Sequence, residues 1–296
     1  AGHSAAALRA MSYKSPISKF KDTTNGIEYY QNIREMEEHF DEKKEEIISG
    51  LKALSELLFR KGNVMISYTA SREGLAVLEE EIGSLKEALY PERTPESRCI
   101  LHCEKKNEGF KTSSKVQFAA KAGNFIDAGE EYNGALQILK VIMSYEYLWI
   151  NIRVKGGAYG CMSNFNRIGE GYFVSYRDPN LGRTLEIYDG VPEYLENFTV
   201  SERDMTKYII GTISEMDTPL TPISRGRRSL ICYLGHITDE ELQKERDAVL
   251  SGTAEDIRAL APLVQAVLEE QDLCVIGNEE TLRAEKEMFM ELKNLY

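Results

Sequence analysis

No stretch of this chain approaches the roughly 18 consecutive apolar residues that a membrane-spanning helix needs. Its first residues, AGHSAAALRAM, lack the basic leader and apolar core of a secretory signal. They also lack an initiator methionine, which predicts a fragment or a processed product. Cysteine is sparse: Cys99, Cys103, Cys161, Cys232 and Cys274 are too few and too scattered for a disulfide framework in 296 residues. Free thiols in a reducing compartment are the expectation, and a bacterial cytoplasm fits it. Histidine is scarcer still, and the four residues never form HExxH or HxxEH. The nearest approach, His39 to Glu42 and Lys43, has a lysine in place of the second imidazole. Basic charge is also in deficit. A net charge of −12 argues against a nucleic-acid partner, which binds through a basic face.

What is present describes a globular chain, with 42% hydrophobic and 28% charged residues. The length allows one large or two ordinary domains. Helical spacing runs through residues 28–60, where Tyr29, Ile33, Met36, Phe40, Ile47, Leu51, Leu54 and Leu58 recur among Lys and Glu. NVMISYTA (63–70) is β-rich and predicts a strand, and 71–89 returns to a helical period. YPERTPESR (90–98), with two prolines among charges, is the candidate linker. Beyond it, 115–123 and 171–178 predict strands. Residues 131–149 predict a long buried helix, and Asp178-Pro179 a helix start with aspartate as the N-cap. Ser201 with Asp204, and Thr238 with Glu241, read as further capping pairs. Residues 48–89 and 257–295 share a helix, strand, turn, helix pattern, with strands 64–68 and 273–277 in correspondence.

Three candidate sites can be weighed on the residues alone. CILHC (99–103) offers Cys99, His102 and Cys103, but a closed zinc site wants a second ligand pair and none is near. A strand with buried thiols is the simpler reading. No serine or cysteine has a motif tying it to a base, and Cys161 reads as a packing residue. RVKGGAYG (153–160) places a cation, a glycine pair and a tyrosine together. Its glycines follow a helix and precede a strand, the reverse of a phosphate loop. A helix end turned by glycine accounts for Gly156 or Gly157 and leaves Arg153 and Tyr159 without a task.

The run LWINIRVKGGAYGCMSNFNRIGEGYFVSYRDPNLGRTLEIYDGVPEYLENF (148–198) resembles the C-terminal half of presequence-protease-type zinc metallopeptidases. These form a subgroup, including falcilysin, of the pitrilysin and insulin-degrading enzyme superfamily. GHSAAALRAMSYKSP (2–16) and IIGTISEMDTPLTPISRGRRSLICYLGHIT (209–238) agree with it. The resemblance implies an α+β fold akin to LuxS and the mitochondrial processing peptidase, with an antiparallel or mixed sheet packed by helices. It divides the chain into residues 1–95, the end of a third family domain, and 96–296, the fourth.

It also implies a function: the last third of a zinc-dependent endopeptidase that degrades unstructured peptides in a closed chamber. The zinc would belong to the N-terminal half of the same polypeptide, with no metal bound by this chain, which alone would be inactive. Arg153 and Tyr159 would be catalytic, reaching across the chamber, and Gly156 and Gly157 would let substrate backbone approach. Arg177 would tie the SYRDPNL segment to a neighbouring carboxylate, with contact to substrate as the lesser alternative that leaves it outside the site set, and His236 would be structural. The resemblance also admits a mitochondrial or plastid location, and a non-catalytic peptide-binding or scaffolding homologue as the alternative function.

Overall fold

The computed structural model describes residues 2–91 and 100–296. In chain order its helices are α1 (Gly2–Met11), α2 (Pro16–Asn25), α3 (Ile27–Glu38), α4 (Phe40–Leu58), α5 (Arg72–Glu87), α6 (Ala135–Tyr145), α7 (Gly182–Asp189), α8 (Val191–Glu196), α9 (Glu202–Met216), α10 (Pro222–Leu234), α11 (Asp239–Leu250), α12 (Ala254–Arg258), α13 (Ala261–Glu269) and α14 (Glu279–Ala284). The strands are β1 (Glu108–Thr112), β2 (Phe118–Asn124), β3 (Gly160–Phe165), β4 (Glu170–Tyr176), β5 (Asp272–Asn278) and β6 (Glu291–Asn294). The described residues fall into two compact units. One comprises residues up to Tyr30, Ile100–Asp217 and the chain from Gln243 onward; the other runs from Gln31 and includes Thr218–Leu242. The expected boundary between residues 95 and 96 lies outside the described residues.

The first unit is an α+β structure built on one mixed sheet in the order β3-β4-β2-β5-β1-β6. β1 runs parallel to both β5 and β6, while the β2–β4, β2–β5 and β3–β4 pairs are antiparallel. The strands alternate between two apolar layers, as the two-residue period of a pleated strand requires. Ala120, Ala122, Val174, Cys274 and Ile276 face one layer, closed by Ala6, Ala7 and Ala10 of α1. Alanine and glycine let that helix lie close, because a Cβ on Gly2 would come within 2.6 Å of the Phe118 ring. Phe173 belongs to the opposite core, with Ile138, Leu139 and Ile142 of α6 and Val264 and Val267 of α13. Gly123 admits the closest approach there, since a Cβ would stand 2.3 Å from the Val267 carbonyl oxygen.

The second unit is built from amphipathic helices. α4, α5 and α10 bury none of their residues fully, and Leu51, Leu58, Ile223 and Ile231 are exposed. The expected strand at 63–70 is absent: a short 3₁₀ turn at Lys61–Asn63 leads into unpaired chain. Its β-branched composition is genuine, yet no described segment offers it a ladder of hydrogen bonds, and side chains alone do not make a strand. Thr69 instead lies against α10, where a Cβ on Gly226 would meet its Oγ1 at 1.9 Å. The echo between 48–89 and 257–295 therefore stops at the helices. In the second segment the strand is β5, held between two neighbours in a sheet.

Three other expectations change in the first unit. Residues 100–107 form no strand; Cys103 is half-buried, His102 is exposed, and Cys99 lies outside the described residues. The helix expected over 131–149 is shorter, with α6 ending at Tyr145. Asp178 is not a helix cap, because α7 begins only at Gly182. Fully buried, Asp178 accepts the Asn180 backbone N–H at 2.9 Å and the Thr184 hydroxyl at 2.6 Å, closing the turn before that helix. The capping pairs hold: the Ser201 hydroxyl accepts the Asp204 N–H, and Thr238 and Glu241 cap each other.

Candidate active site

RVKGGAYG closes a helical segment and opens β3. Trp149–Val154 is a π-helical turn, in which the Lys155 N–H reaches back five residues to the Ile150 carbonyl at 2.9 Å. Such turns are rare and concentrate at functional sites. The exit is a paired cap of the Schellman kind, one residue wider than usual. Gly157 N–H bonds to the Arg153 carbonyl at 2.9 Å and Ala158 N–H to that of Ile152 at 3.1 Å. Gly157 has φ +80°, a left-handed conformation that glycine adopts without strain. Gly156 is required for a different reason: a Cβ there would stand 2.4 Å from the Ile152 carbonyl oxygen. The Gly156 carbonyl accepts the Asn180 side-chain amide at 2.7 Å, which ties the turn to the SYRDPNL segment.

This backbone places Arg153 four residues after Trp149 and beside Tyr159. The Arg153 guanidinium carbon lies 4.6 Å from the Trp149 ring centroid and 5.1 Å from that of Tyr159. Ring faces attract a cation and hold it without neutralising it. Tyr159 is anchored through its backbone, whose N–H bonds to the Tyr176 carbonyl at 3.0 Å, and its ring meets Tyr176 edge-on at 5.4 Å. Its side chain is left to solvent, with the residue 61% exposed and the phenol unpartnered among the described residues. Trp149, Arg153, Val154, Gly157, Ala158, Tyr159 and Arg177 line one open depression of ≈ 480 Å³.

Of the four site residues expected from the sequence, Arg153, Tyr159 and Gly157 line this depression, while Gly156 lies in the turn against the Ile152 carbonyl and outside that lining. Trp149, Tyr176 and Arg177 are additional members. The β3–β4 register, with Gly160 opposite Tyr176, brings the third of these to Tyr159. Arg177 stacks over Tyr159 and Tyr176, with centroids 5.9 and 5.4 Å from its guanidinium carbon, rather than pairing with a carboxylate. Cys161 is buried on β3, and burial pushes its thiol up to about 12, Asp178 adding to the effect and Arg153 opposing it. A thiol so protonated is a packing group. His236, in the other unit, is exposed with φ +53° just beyond α10.

The depression offers cations and hydrogen-bond donors. No imidazole, thiolate or carboxylate is among the residues that line it. Among the described residues no group of three or more His, Cys, Asp or Glu is placed to hold a metal ion. Among the same residues no helix is long and apolar enough to cross a membrane.

The model of the PreP C-terminal domain matches residues 107–279, more than half of the chain and all of this site. The chain belongs to the PreP C-terminal domain family. Protein HypA of Clostridium perfringens is 39% identical over 294 residues, covering 99% of this chain and 30% of that protein. Presequence protease 1, chloroplastic/mitochondrial, of Arabidopsis thaliana is 30% identical over 302 residues, covering 99% and 28%. The chain thus spans less than a third of the length of these curated relatives. A peptidase M16 inactive domain from Pseudomonas fluorescens superposes with a TM-score of 0.47 at 17% identity, over 71% of this chain and 51% of that one. Within the PreP C-terminal domain fold, the Arg153–Tyr159 turn stands at the junction of the π-helical segment with the edge strand β3.

Proposed function

We propose that this chain is the C-terminal part of a zinc-dependent endopeptidase that degrades unstructured peptides in a closed chamber, and that Arg153 and Tyr159 supply donors to the reacting peptide. The observation that carries this reading is the exposed, unpartnered Tyr159 phenol held beside a guanidinium in a concave site. When an amide is attacked, negative charge develops on the former carbonyl oxygen, and a positioned O–H stabilises that charge more than the ground-state carbonyl. Arg153, stacked on two rings, can direct several N–H groups at substrate carbonyls without losing its charge. Gly157 keeps the wall of the depression low where the peptide backbone passes, and Gly156 shapes the turn that permits it.

Zinc in this reading is held by the N-terminal half of the same polypeptide and activates the attacking water there. This chain lacks residues to bind it at the Arg153–Tyr159 site and is inactive alone. The free cysteines fit a bacterial cytoplasm. The test is reconstitution: the missing half, expressed separately and loaded with zinc, is assayed on a quenched fluorescent peptide with and without this chain. Cleavage only in the mixture is expected. Cleavage by the zinc-bearing half alone at the full rate, or binding of peptide without any cleavage, would reject the catalytic role and favour a scaffold.

A further inference from the structure

We propose that Arg177 and Arg153 together form a carboxylate-binding subsite, so that the enzyme favours peptides with an acidic group beside the cleaved bond. This inference rests on the reading of Arg153 and Tyr159 above and adds a substrate class to it. Both guanidinium carbons lie over the ring of Tyr159, at 5.1 and 5.9 Å from its centroid. Neither guanidinium has a hydrogen-bonded or ion-paired partner among the described residues. What distinguishes them is their place, since both stand over one aromatic ring and line one depression. Arg9, Arg167, Arg246, Arg258 and Arg283 all pair with carboxylates.

Two further features bear on Arg177, which is among four described non-glycine residues with a positive φ, with Asn107, His236 and Gln271. Its backbone has φ +49°, a left-handed conformation that carries strain for any residue but glycine. Strain of this kind persists where the surroundings impose it, and it gathers at functional sites. Here the residue it affects sends its side chain back over Tyr159. The neighbouring acid forms no ion pair with either guanidinium: Asp178 is buried and accepts the Asn180 N–H and the Thr184 hydroxyl instead. The depression therefore presents two cations, each with planar N–H donors, and no counter-charge among its lining residues. A carboxylate fits that fork geometry better than a neutral carbonyl, since it accepts two parallel N–H bonds and carries the missing charge. It can come from an Asp or Glu side chain or from the peptide's own C-terminus.

The test uses the full-length protein and four quenched fluorescent peptides of one sequence. They carry Glu or Gln next to the cleaved bond, each with a free or an amidated C-terminus. Charge-assisted bonds of this type predict a KM about tenfold lower for the peptide bearing the preferred carboxylate than for its neutral isostere. The Glu/Gln and acid/amide comparisons tell which source is bound. Arg177→Gln and Arg177→Gly, the second of which suits the left-handed turn, should both bring the paired KM values together. Should no peptide be cut, dissociation constants from fluorescence anisotropy take the place of KM under the same criterion. A wild type indifferent to peptide charge, or discrimination that survives in both variants, overturns the subsite. Tyr159→Phe separates this inference from the reading beneath it. Lowered kcat without charge preference leaves the catalytic reading and removes the subsite; charge preference with unaltered kcat does the reverse.

Discussion

Arg9 and Glu108 are 99 residues apart in sequence, both buried, and joined by two N–H···O bonds of 2.6 and 3.1 Å. The same guanidinium donates to the buried Asp22 at 2.6 Å, while Glu108 also accepts from the Tyr13 hydroxyl and Lys293. One cation thus fastens α1 and α2 to β1. Removing it takes the nearest cation from the buried Asp22 and leaves Glu108 with Lys293 and Tyr13, and Arg9→Ala should destabilise the fold by about 3–5 kcal/mol. Urea unfolding of the chain measures this, and a loss under 1 kcal/mol would contradict it. Burial raises the pKa of Glu108, but Arg9 and Lys293 outweigh it and the net direction is down. The stabilisation is therefore present above the ordinary carboxylate range and is lost as pH falls through the depressed value.

Asp272 shows the opposite sign. Burial, with the charge of Glu270 adding and Lys105 and Lys14 opposing, raises its pKa to about 7. The folded state then holds a proton that the unfolded chain has already released, so its contribution falls as pH rises from about 4 through about 7. Asp272→Asn should make the chain more stable than wild type at pH 8 and should narrow that difference at pH 5. Thermal melts at the two values test it, and an equal shift at both pH values would count against the assignment.

The glycine pair makes a prediction about backbone alone. Gly157→Ala forces a left-handed φ on a residue with a Cβ, at a cost of about 1–2 kcal/mol. Gly156→Ala drives a Cβ into the Ile152 carbonyl and should cost at least as much, about 1–3 kcal/mol. Both should lower the melting temperature of the isolated chain, a measurement independent of any peptide. Unchanged melting for Gly156→Ala would mean that the turn relaxes freely.

These elements differ in how plainly the sequence declares them. β5 is legible from its apolar run, β2 from its small and apolar residues and β4 from its aromatic and β-branched ones, and α3 through α5 because their periodicity is strong. β1 is not legible. Its EGFKT has one large apolar residue, and it becomes a strand only because β5 and β6, far along the chain, close on either side. NVMISYTA fails the other way, with strand composition and no partner. At the site, Arg153 and Tyr159 are visible through the RVKGGAYG resemblance, and the glycine turn through the chemistry of helix ends. Arg177 is hidden because its place depends on the β3–β4 register and on a left-handed backbone that arginine does not advertise. The pairing of the two stretches flanking NRIGE, GCMSNF and GYFVSY, is the signal that could have found it.

The catalytic claim rests on one oxygen atom, the Tyr159 hydroxyl. The most direct measurement is kcat of the full-length protein against its Tyr159→Phe variant on an unstructured fluorescent peptide, with folding checked by thermal melting. Phenylalanine keeps the ring that both arginines stack on and removes only the donor. Loss of an oxyanion donor predicts a fall in kcat of about 10²–10³-fold with little change in KM. An unchanged kcat in a folded, zinc-loaded variant would contradict the account and leave RVKGGAYG as a helix end turned by glycine.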